Sequence, residues 1–297
     1  MRIQYRPRSV LAIALFSLAA CAVAPDRILA PAVVAAPVSA AFTPGSCDYD
    51  RTDASLTSAG WTRVFDEPFS TNLSRWTVWT GGAFNNELQH YQASNLQVAD
   101  GILSITARRE TVIGATTPFN PALSSFDYTS GRIESVTHFS AGQKTPNVRM
   151  AARLRLPVGY GMWPAFWSYG DPWPTQGEID IVEARGQTPF EFNTAYWYGR
   201  RAGVNQVQNS AVTIQTGTSL TDCWHVYEVI WTRDVLTFLL DGQVVDVKSG
   251  GMIPNMFRKQ QRLTLNLAVG GLFFPNLDPS LIQPGTLLVD WVKVFTR

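Results

Sequence analysis

The run Glu178-Ile179-Asp180-Ile181-Val182-Glu183 constrains the fold more than any other part of the chain. Its three carboxylates are separated only by branched aliphatic residues. Such residues favour extended backbone and need an apolar layer to pack on, so the run predicts a β-strand with one face in a hydrophobic core. Side chains alternate along a strand, which places Glu178 and Asp180 together on the other face. Glu183 breaks the alternation. On a regular strand it would enter the core beside Ile179 and Ile181, and an unpaired carboxylate there costs several kcal/mol. One extra residue, a β-bulge near Ile181-Val182, returns Glu183 to the face of the other two. The prediction is a row of three carboxyl groups above a packed sheet, a crowding that chains keep chiefly for chemistry.

Acidic residues also line the solvent face of ordinary strands, but the flanks argue against that reading. Upstream lie Gly161-Met162-Trp163-Pro164-Ala165-Phe166-Trp167, then Trp173, then Gly177 directly before Glu178. Downstream, Tyr196, Trp197 and Tyr198 belong to what should be the next strand. Aromatic rings stack on the apolar faces of sugars, and paired carboxyl groups break glycosidic bonds. The combination points to a polysaccharide cleft. Trp163 and Trp167 alternate with Phe166 on a neighbouring strand and are candidates to stack sugar rings. Trp173, on a Pro-rich loop, is a candidate exposed platform. Trp197 shares a strand face with Asn193, and both are candidates to line the cleft.

The rest of the chain reads as short alternating strands from Trp61 onward, with almost no helical periodicity. Leu96-Gln97-Val98, a turn at Ala99-Asp100-Gly101, and Ile102-Leu103-Ser104-Ile105 form one strand-turn-strand unit. Residues 236–240 and 243–247 flank Asp241-Gly242 as a hairpin. Residues 149–156, 263–269 and 287–295 are further strands. This spacing indicates an all-β fold, an antiparallel β-sandwich forming one domain over residues 46–297. Loops at 110–128, 140–147 and 168–176 are expected to wall the cleft. A chain of 297 residues, 45% hydrophobic, can bury a large core. A net charge of +1 offers no electrostatic basis for nucleic-acid or anionic-membrane partners. The three histidines, His90, His138 and His225, share no metal-ligand spacing.

Residues 1–21 have the pattern of an export signal, with Arg2, Arg6 and Arg8 before an apolar run too short to span a bilayer. Leu18-Ala19-Ala20-Cys21 is similar to a bacterial lipobox, which makes Cys21 a lipidation site and the protein a cell-surface or outer-membrane lipoprotein. Ordinary signal cleavage and secretion is the other reading. Residues 22–45, rich in Ala, Pro and Val, are expected to be a flexible tether. With Cys21 lipidated or removed, Cys47 and Cys223 remain, and export favours their pairing as a disulfide.

The acidic run resembles the active-site signature of glycoside hydrolase family 16, in the bulged form of its laminarinase-like endo-β-1,3-glucanases. Further matches occur in the family's order: Asn86-Glu87-Leu88-Gln89-His90-Tyr91, Asp100-Gly101-Ile102-Leu103, Thr129-Ser130-Gly131-Arg132-Ile133, Trp163-Pro164-Ala165-Phe166-Trp167, Leu265-Asn266-Leu267-Ala268-Val269-Gly270-Gly271 and Val289-Asp290-Trp291-Val292-Lys293-Val294. The resemblance implies a concanavalin-like jelly roll with a concave cleft. It implies a monomeric enzyme that hydrolyses internal β-1,3 linkages of β-glucan polysaccharide with retention of configuration and no catalytic cofactor. By matching position, Glu178 is the nucleophile, Glu183 the general acid/base, and Asp180 the group between them that sets their protonation. Asn86 and Arg132 match polar positions around the donor subsites. The resemblance also implies a structural calcium held by the Pro68 and Gly101 carbonyls and the Asp290 carboxylate, hard oxygen ligands that suit this ion.

One departure matters. Many relatives carry a histidine on the strand after the catalytic one, whereas residues 191–200 contain none. Phe192-Asn193 is similar to the arrangement in some lichenases, so a mixed-linkage β-1,3-1,4-glucanase is the alternative. A non-catalytic glucan-binding sandwich is a third reading, against which the intact acidic row argues.

Overall fold

The alternating pattern becomes strands almost wherever it occurs. The computed structural model describes residues 47–203 and 208–297; the expected signal, tether and Cys21 lie outside the described residues. In chain order the strands are β1 (Thr62–Glu67), β2 (Trp76–Val78), β3 (Gln89–Tyr91), β4 (Leu96–Ala99), β5 (Ile102–Thr117), β6 (Asn120–Ser130), β7 (Arg132–Phe139), β8 (Val148–Arg155) and β9 (Met162–Tyr169). They continue as β10 (Glu178–Glu183), β11 (Glu191–Tyr198), β12 (Gln208–Gln215), β13 (His225–Trp231), β14 (Val235–Leu240), β15 (Gln243–Ser249), β16 (Gln261–Val269) and β17 (Gly285–Thr296). Two short helices, α1 (Asp53–Ser58) and α2 (Ile253–Met256), complete the elements used here. Among the described residues no helix is long and apolar enough to cross a membrane.

The strands form the two layers of a jelly-roll sandwich. One sheet has the order β12-β11-β10-β9-β16-β7-β2. The other runs β15-β14-β13-β8-β17-β5-β6-β3, with β1 on β17 and β4 on β5. Between the layers, Phe166, Ile179, Val182, Leu263, Leu265 and Leu267 of the first sheet pack in one core with Leu103, Met150, Leu154, Tyr227, Trp231 and Val292 of the second. Both predicted Asp-Gly turns have positive φ at each residue, Asp100 at 52° with Gly101 at 76° and Asp241 at 50° with Gly242 at 77°. That geometry suits a tight hairpin between twisted strands.

The bulge sits where the chemistry of the run requires it. Against β9, Asp180 pairs with Trp167 and Val182 with Phe166, so Ile181 is the extra residue. Against β11, Asp180 pairs with Ala195 and Glu183 with Asn193. Ile179, Ile181 and Val182 are all fully buried, which leaves the outer face to the three acids.

Segment 110–128 differs from expectation. It continues β5 and β6 as a long two-stranded ribbon rather than forming a loop. Thr111, Val112, Ile113, Thr116 and Thr117 favour extended backbone, and the ribbon tip is seated on the chain beside Trp79, where the Gly82 N–H donates to the Ala115 carbonyl at 2.9 Å. A Cβ at Gly82 would collide with the Thr116 carbonyl oxygen, so the seat requires glycine.

The N-terminal segment covers the outside of the ten-stranded sheet. Cys47 and Cys223 form a disulfide across a sequence separation of 176 residues, with their Cα atoms 5.2 Å apart. Leu56 of α1 packs with Trp61 and Phe295, and Tyr49 packs against Ala151, Val226 and Trp291. Arg153 clamps this segment, donating to the carbonyls of Tyr49 at 2.8 Å and Asp48 at 3.1 Å.

Candidate active site

The bulge places Glu178, Asp180 and Glu183 on the outer face of the seven-stranded sheet, and each carboxylate accepts an indole N–H. Trp173 Nε1 donates to Glu178 Oε2 at 2.8 Å, Trp197 Nε1 to Asp180 Oδ2 at 2.9 Å, and Trp163 Nε1 to Glu183 Oε1 at 3.0 Å. Trp163 and Trp173, expected to stack on sugars, and Trp197, expected to line the cleft, are therefore also the groups that aim the acids. Their positions follow from register. Trp197 sits opposite Glu178 on β11, Trp163 lies two residues before the Glu183 partner Ala165 on β9, and Trp173 hangs from the loop between β9 and β10.

The row is electrostatically crowded. Burial is the largest influence on all three groups, pushing Glu178 up to about 8 and Asp180 and Glu183 well above the ordinary carboxylate range. Each acid also feels another member of the row: Glu183 acts on Glu178, Glu178 on Asp180, and Asp180 on Glu183. The indole donors oppose these shifts, as does one cation for each acid, namely Arg132 for Glu178, Lys248 for Asp180 and Arg185 for Glu183. The protons of such a row come off in coupled steps.

A fourth acid, Glu87, joins the site and was not singled out in the sequence. Its carboxylate accepts from Gln89 Nε2 at 2.8 Å and Tyr91 Oη at 3.1 Å, burial pushes its protonation upward, and its charge in turn raises Glu183. The tight Asn85-Asn86 turn, with φ of 59° and 55°, carries the chain into Glu87 and leaves Asn86 exposed at the rim. The signal was present within the quoted Asn86-Glu87 match, but a solvent-facing acid in a loop has the same sequence appearance.

Away from the acids the face is built on Arg132 of β7. Its guanidinium pairs with Glu134 at 2.6 Å and lies 4.0 Å over Trp79 and 4.9 Å over Trp167. Trp167 also stacks on Tyr169 at 4.9 Å and donates to Asn266 Oδ1 at 2.7 Å, so its ring is held on several sides. Asn266 alternates with the buried Leu265 and Leu267 on β16, which places it on the face opposite the core, toward the cleft. Trp163 presents one face to Phe273 at 4.7 Å, and Arg185 lies 3.8 Å over the Phe273 ring. Asn193, opposite Glu183, accepts from Thr213 Oγ1 at 3.1 Å. The structure thus brings Arg132, Trp163, Trp167, Trp173, Asn193 and Trp197 to the face of the acids, with Asn86 at its rim.

The calcium expectation fits less well. The pairings of β17 with β1 and β5 carry Pro68, Gly101 and Asp290 toward one corner of the ten-stranded sheet. The Asp290 carboxylate, however, is held at 2.6 Å by Arg153. A guanidinium at that distance already supplies the positive charge that an ion would bring, and it opposes a second cation. Asp290 serves to anchor Arg153, which in turn holds the N-terminal segment.

The family model for glycosyl hydrolases family 16 matches residues 83–292. The chain is 31% identical to glucan endo-1,3-beta-glucosidase A1 of Niallia circulans, covering 80% of this chain but only 38% of that protein's length. It is 32% identical to a glucan endo-1,3-beta-glucosidase of Cryptopygus antarcticus, covering 80% of this chain and 92% of that one. Among solved structures, an endo-beta-1,3-glucanase from Pyrococcus furiosus superposes with a TM-score of 0.66 at 30% identity, over 80% of this chain and 94% of that one. The match spans the bulged acidic strand, the Arg132 strand and β16 together, and the chain belongs to glycosyl hydrolases family 16.

Proposed function

We propose that this protein is a retaining endo-β-1,3-glucanase. The observation that carries the reading is the bulged row itself, in which a nucleophile and an acid/base stand on one face, each oriented by an indole N–H. The relatives named above are glucan endo-1,3-beta-glucosidases, which supports β-1,3-glucan as the substrate.

Glu178 is the nucleophile. Burial and the Glu183 charge push it up to about 8, while the Trp173 N–H and the positive field of Arg132 draw it back toward the ionised form, whose attack on the anomeric carbon breaks the glycosidic C–O bond. Glu183 gives its proton to the departing oxygen. Burial, together with the negative charges of Asp180 and Glu87 beside it, keeps that proton in place until it is needed. With the glycosyl ester formed, Glu178 carries no charge, and the Glu183 carboxylate takes a proton from the water that cleaves the ester. Asp180, held by Trp197, couples the two glutamates. No step calls for a cofactor.

Product chromatography tests the reading. Laminarin is expected to yield a spread of β-1,3 oligosaccharides early in the reaction, as internal cleavage requires. Release from barley β-glucan but not from laminarin would favour the mixed-linkage alternative, and release from neither would leave a glucan-binding sandwich.

Export is part of the proposal, because a disulfide between Cys47 and Cys223 persists in oxidising compartments. Attachment through a lipidated Cys21 and action as a monomer complete it. Calcium is not needed at Asp290 while Arg153 occupies it. EDTA is accordingly expected to shift the melting temperature by less than about 1 °C, since a bound structural ion would add stability by mass action; a fall of several degrees would reinstate the ion.

A further inference from the structure

We propose that Phe119, with Phe84, forms an accessory glucan-binding platform at the far edge of the cleft, where the β5–β6 ribbon meets Trp79. The proposal rests on the glucanase reading above and extends its substrate contacts beyond the acidic row.

The first observation is exposure without mobility of attachment. Phe119 is 75% exposed and Phe84 is 52% exposed, yet both rings meet the buried Trp79 edge-on, at 5.7 Å and 6.5 Å between centroids. Adjacent exposed aromatics on one surface mark a place where something binds. The turn that carries Phe119 is fixed by its own hydrogen bonds. Thr117 Oγ1 accepts from the N–H groups of Phe119 at 3.2 Å and Asn120 at 3.0 Å, and Thr116 Oγ1 donates to the Ala122 carbonyl at 2.7 Å. The glycine seat at Gly82 locks the tip to the sheet edge.

The second observation is direction. Crossing the sheet from β10 through β9, β16 and β7 to β2, the outer face presents Glu178, Trp167, Asn266, Arg132 and finally Trp79, which directly follows β2. Four strand spacings make this row about 19 Å long. Arg132 bridges this row, its guanidinium 4.9 Å over Trp167 and 4.0 Å over Trp79, so the row runs without a break from the acids to the ribbon. A long glucan following the row therefore passes Arg132 and reaches Phe119, whose ring offers an apolar surface to the C–H face of a sugar. A short oligosaccharide ends before it.

Affinity electrophoresis in laminarin gels, with Glu178→Gln as the background, reads binding without turnover. Adding Phe119→Ala is expected to weaken retardation about fivefold, the effect of losing one aromatic contact, and adding Phe84→Ala to weaken it further. In the active enzyme, Phe119→Ala should lower kcat/KM by a similar factor on polymeric laminarin while leaving turnover of the shortest cleaved laminari-oligosaccharide unchanged. Phe119→Trp should restore the polymer. Equal losses on long and short substrates, or undiminished retardation, would overturn the platform, as would failure of the Glu178→Gln protein to bind laminarin. A wild-type protein that binds but never cleaves glucan would instead sink the glucanase reading and leave the platform standing.

Discussion

Glu178→Gln and Glu183→Gln are each expected to lower hydrolysis of laminarin by at least about a thousandfold, the scale at which acid–base and nucleophilic groups contribute. Circular dichroism should be unchanged, because both side chains lie on the outer face and Gln can still accept the Trp173 or Trp163 N–H. The two positions should differ in rescue. In Glu178→Ala and Glu183→Ala, where truncation leaves room, azide replaces the missing nucleophile or base, and the anomer of the glycosyl azide it forms reports which carboxylate was lost. Near-wild-type turnover in either variant would refute the assignment.

The same substitution has a stability signature whose sign follows from the raised protonation of Glu178. Its value in the folded protein, about 8, lies above the ordinary 4.5. Folding therefore favours the protonated form. The contribution is fully present below about 4.5 and is lost as pH rises through about 8. Glutamine stays neutral throughout. Relative to wild type, Glu178→Gln should melt at about the same temperature at pH 4 and about 5 °C higher at pH 9, once partial solvent screening is allowed for. A constant difference across that window would mean the row is not strained by charge.

The largest stability effect should come from the disulfide. Cys223→Ser leaves the 176-residue segment between the cysteines unclosed in the unfolded chain. By chain entropy this costs roughly 4–5 kcal/mol, which lowers the melting temperature by about 10 °C. The bridge pins the N-terminal segment to the start of β13 on the ten-stranded sheet, where the Trp224 N–H also donates to Asp48 at 3.1 Å. The acids stand on the other sheet. Turnover at 25 °C should therefore persist while thermal stability falls, and dithiothreitol should reproduce the effect in wild type. A loss of activity in parallel with unchanged melting would contradict this separation.

Much of the site was legible because strand periodicity is strict. Alternation fixes faces, so the misplaced Glu183 demanded a bulge, and the bulge occurs at Ile181. Asp100-Gly101 and Asp241-Gly242 announced their turns because few other pairs tolerate positive φ at both residues. Other features were hidden for physical reasons. Segment 110–128 looked like a loop because a solvent-exposed ribbon has no buried face to imprint a hydrophobic pattern. Glu87 could not be told from a solvated acid, since its burial comes from Gln89, Tyr91 and residues far along the chain.

Local sequence alone determined most of the strands, the bulge and the identity of the three acids on β10, because extended backbone and side-chain alternation depend on near neighbours. Tertiary structure alone decided which tryptophan holds which carboxylate, that Arg132 stands by Glu178, that Glu87 joins Glu183, and that Arg153 pairs with Asp290. Those pairings form between residues distant in the chain, and their energies depend on separation and burial, which exist only once the two sheets have packed.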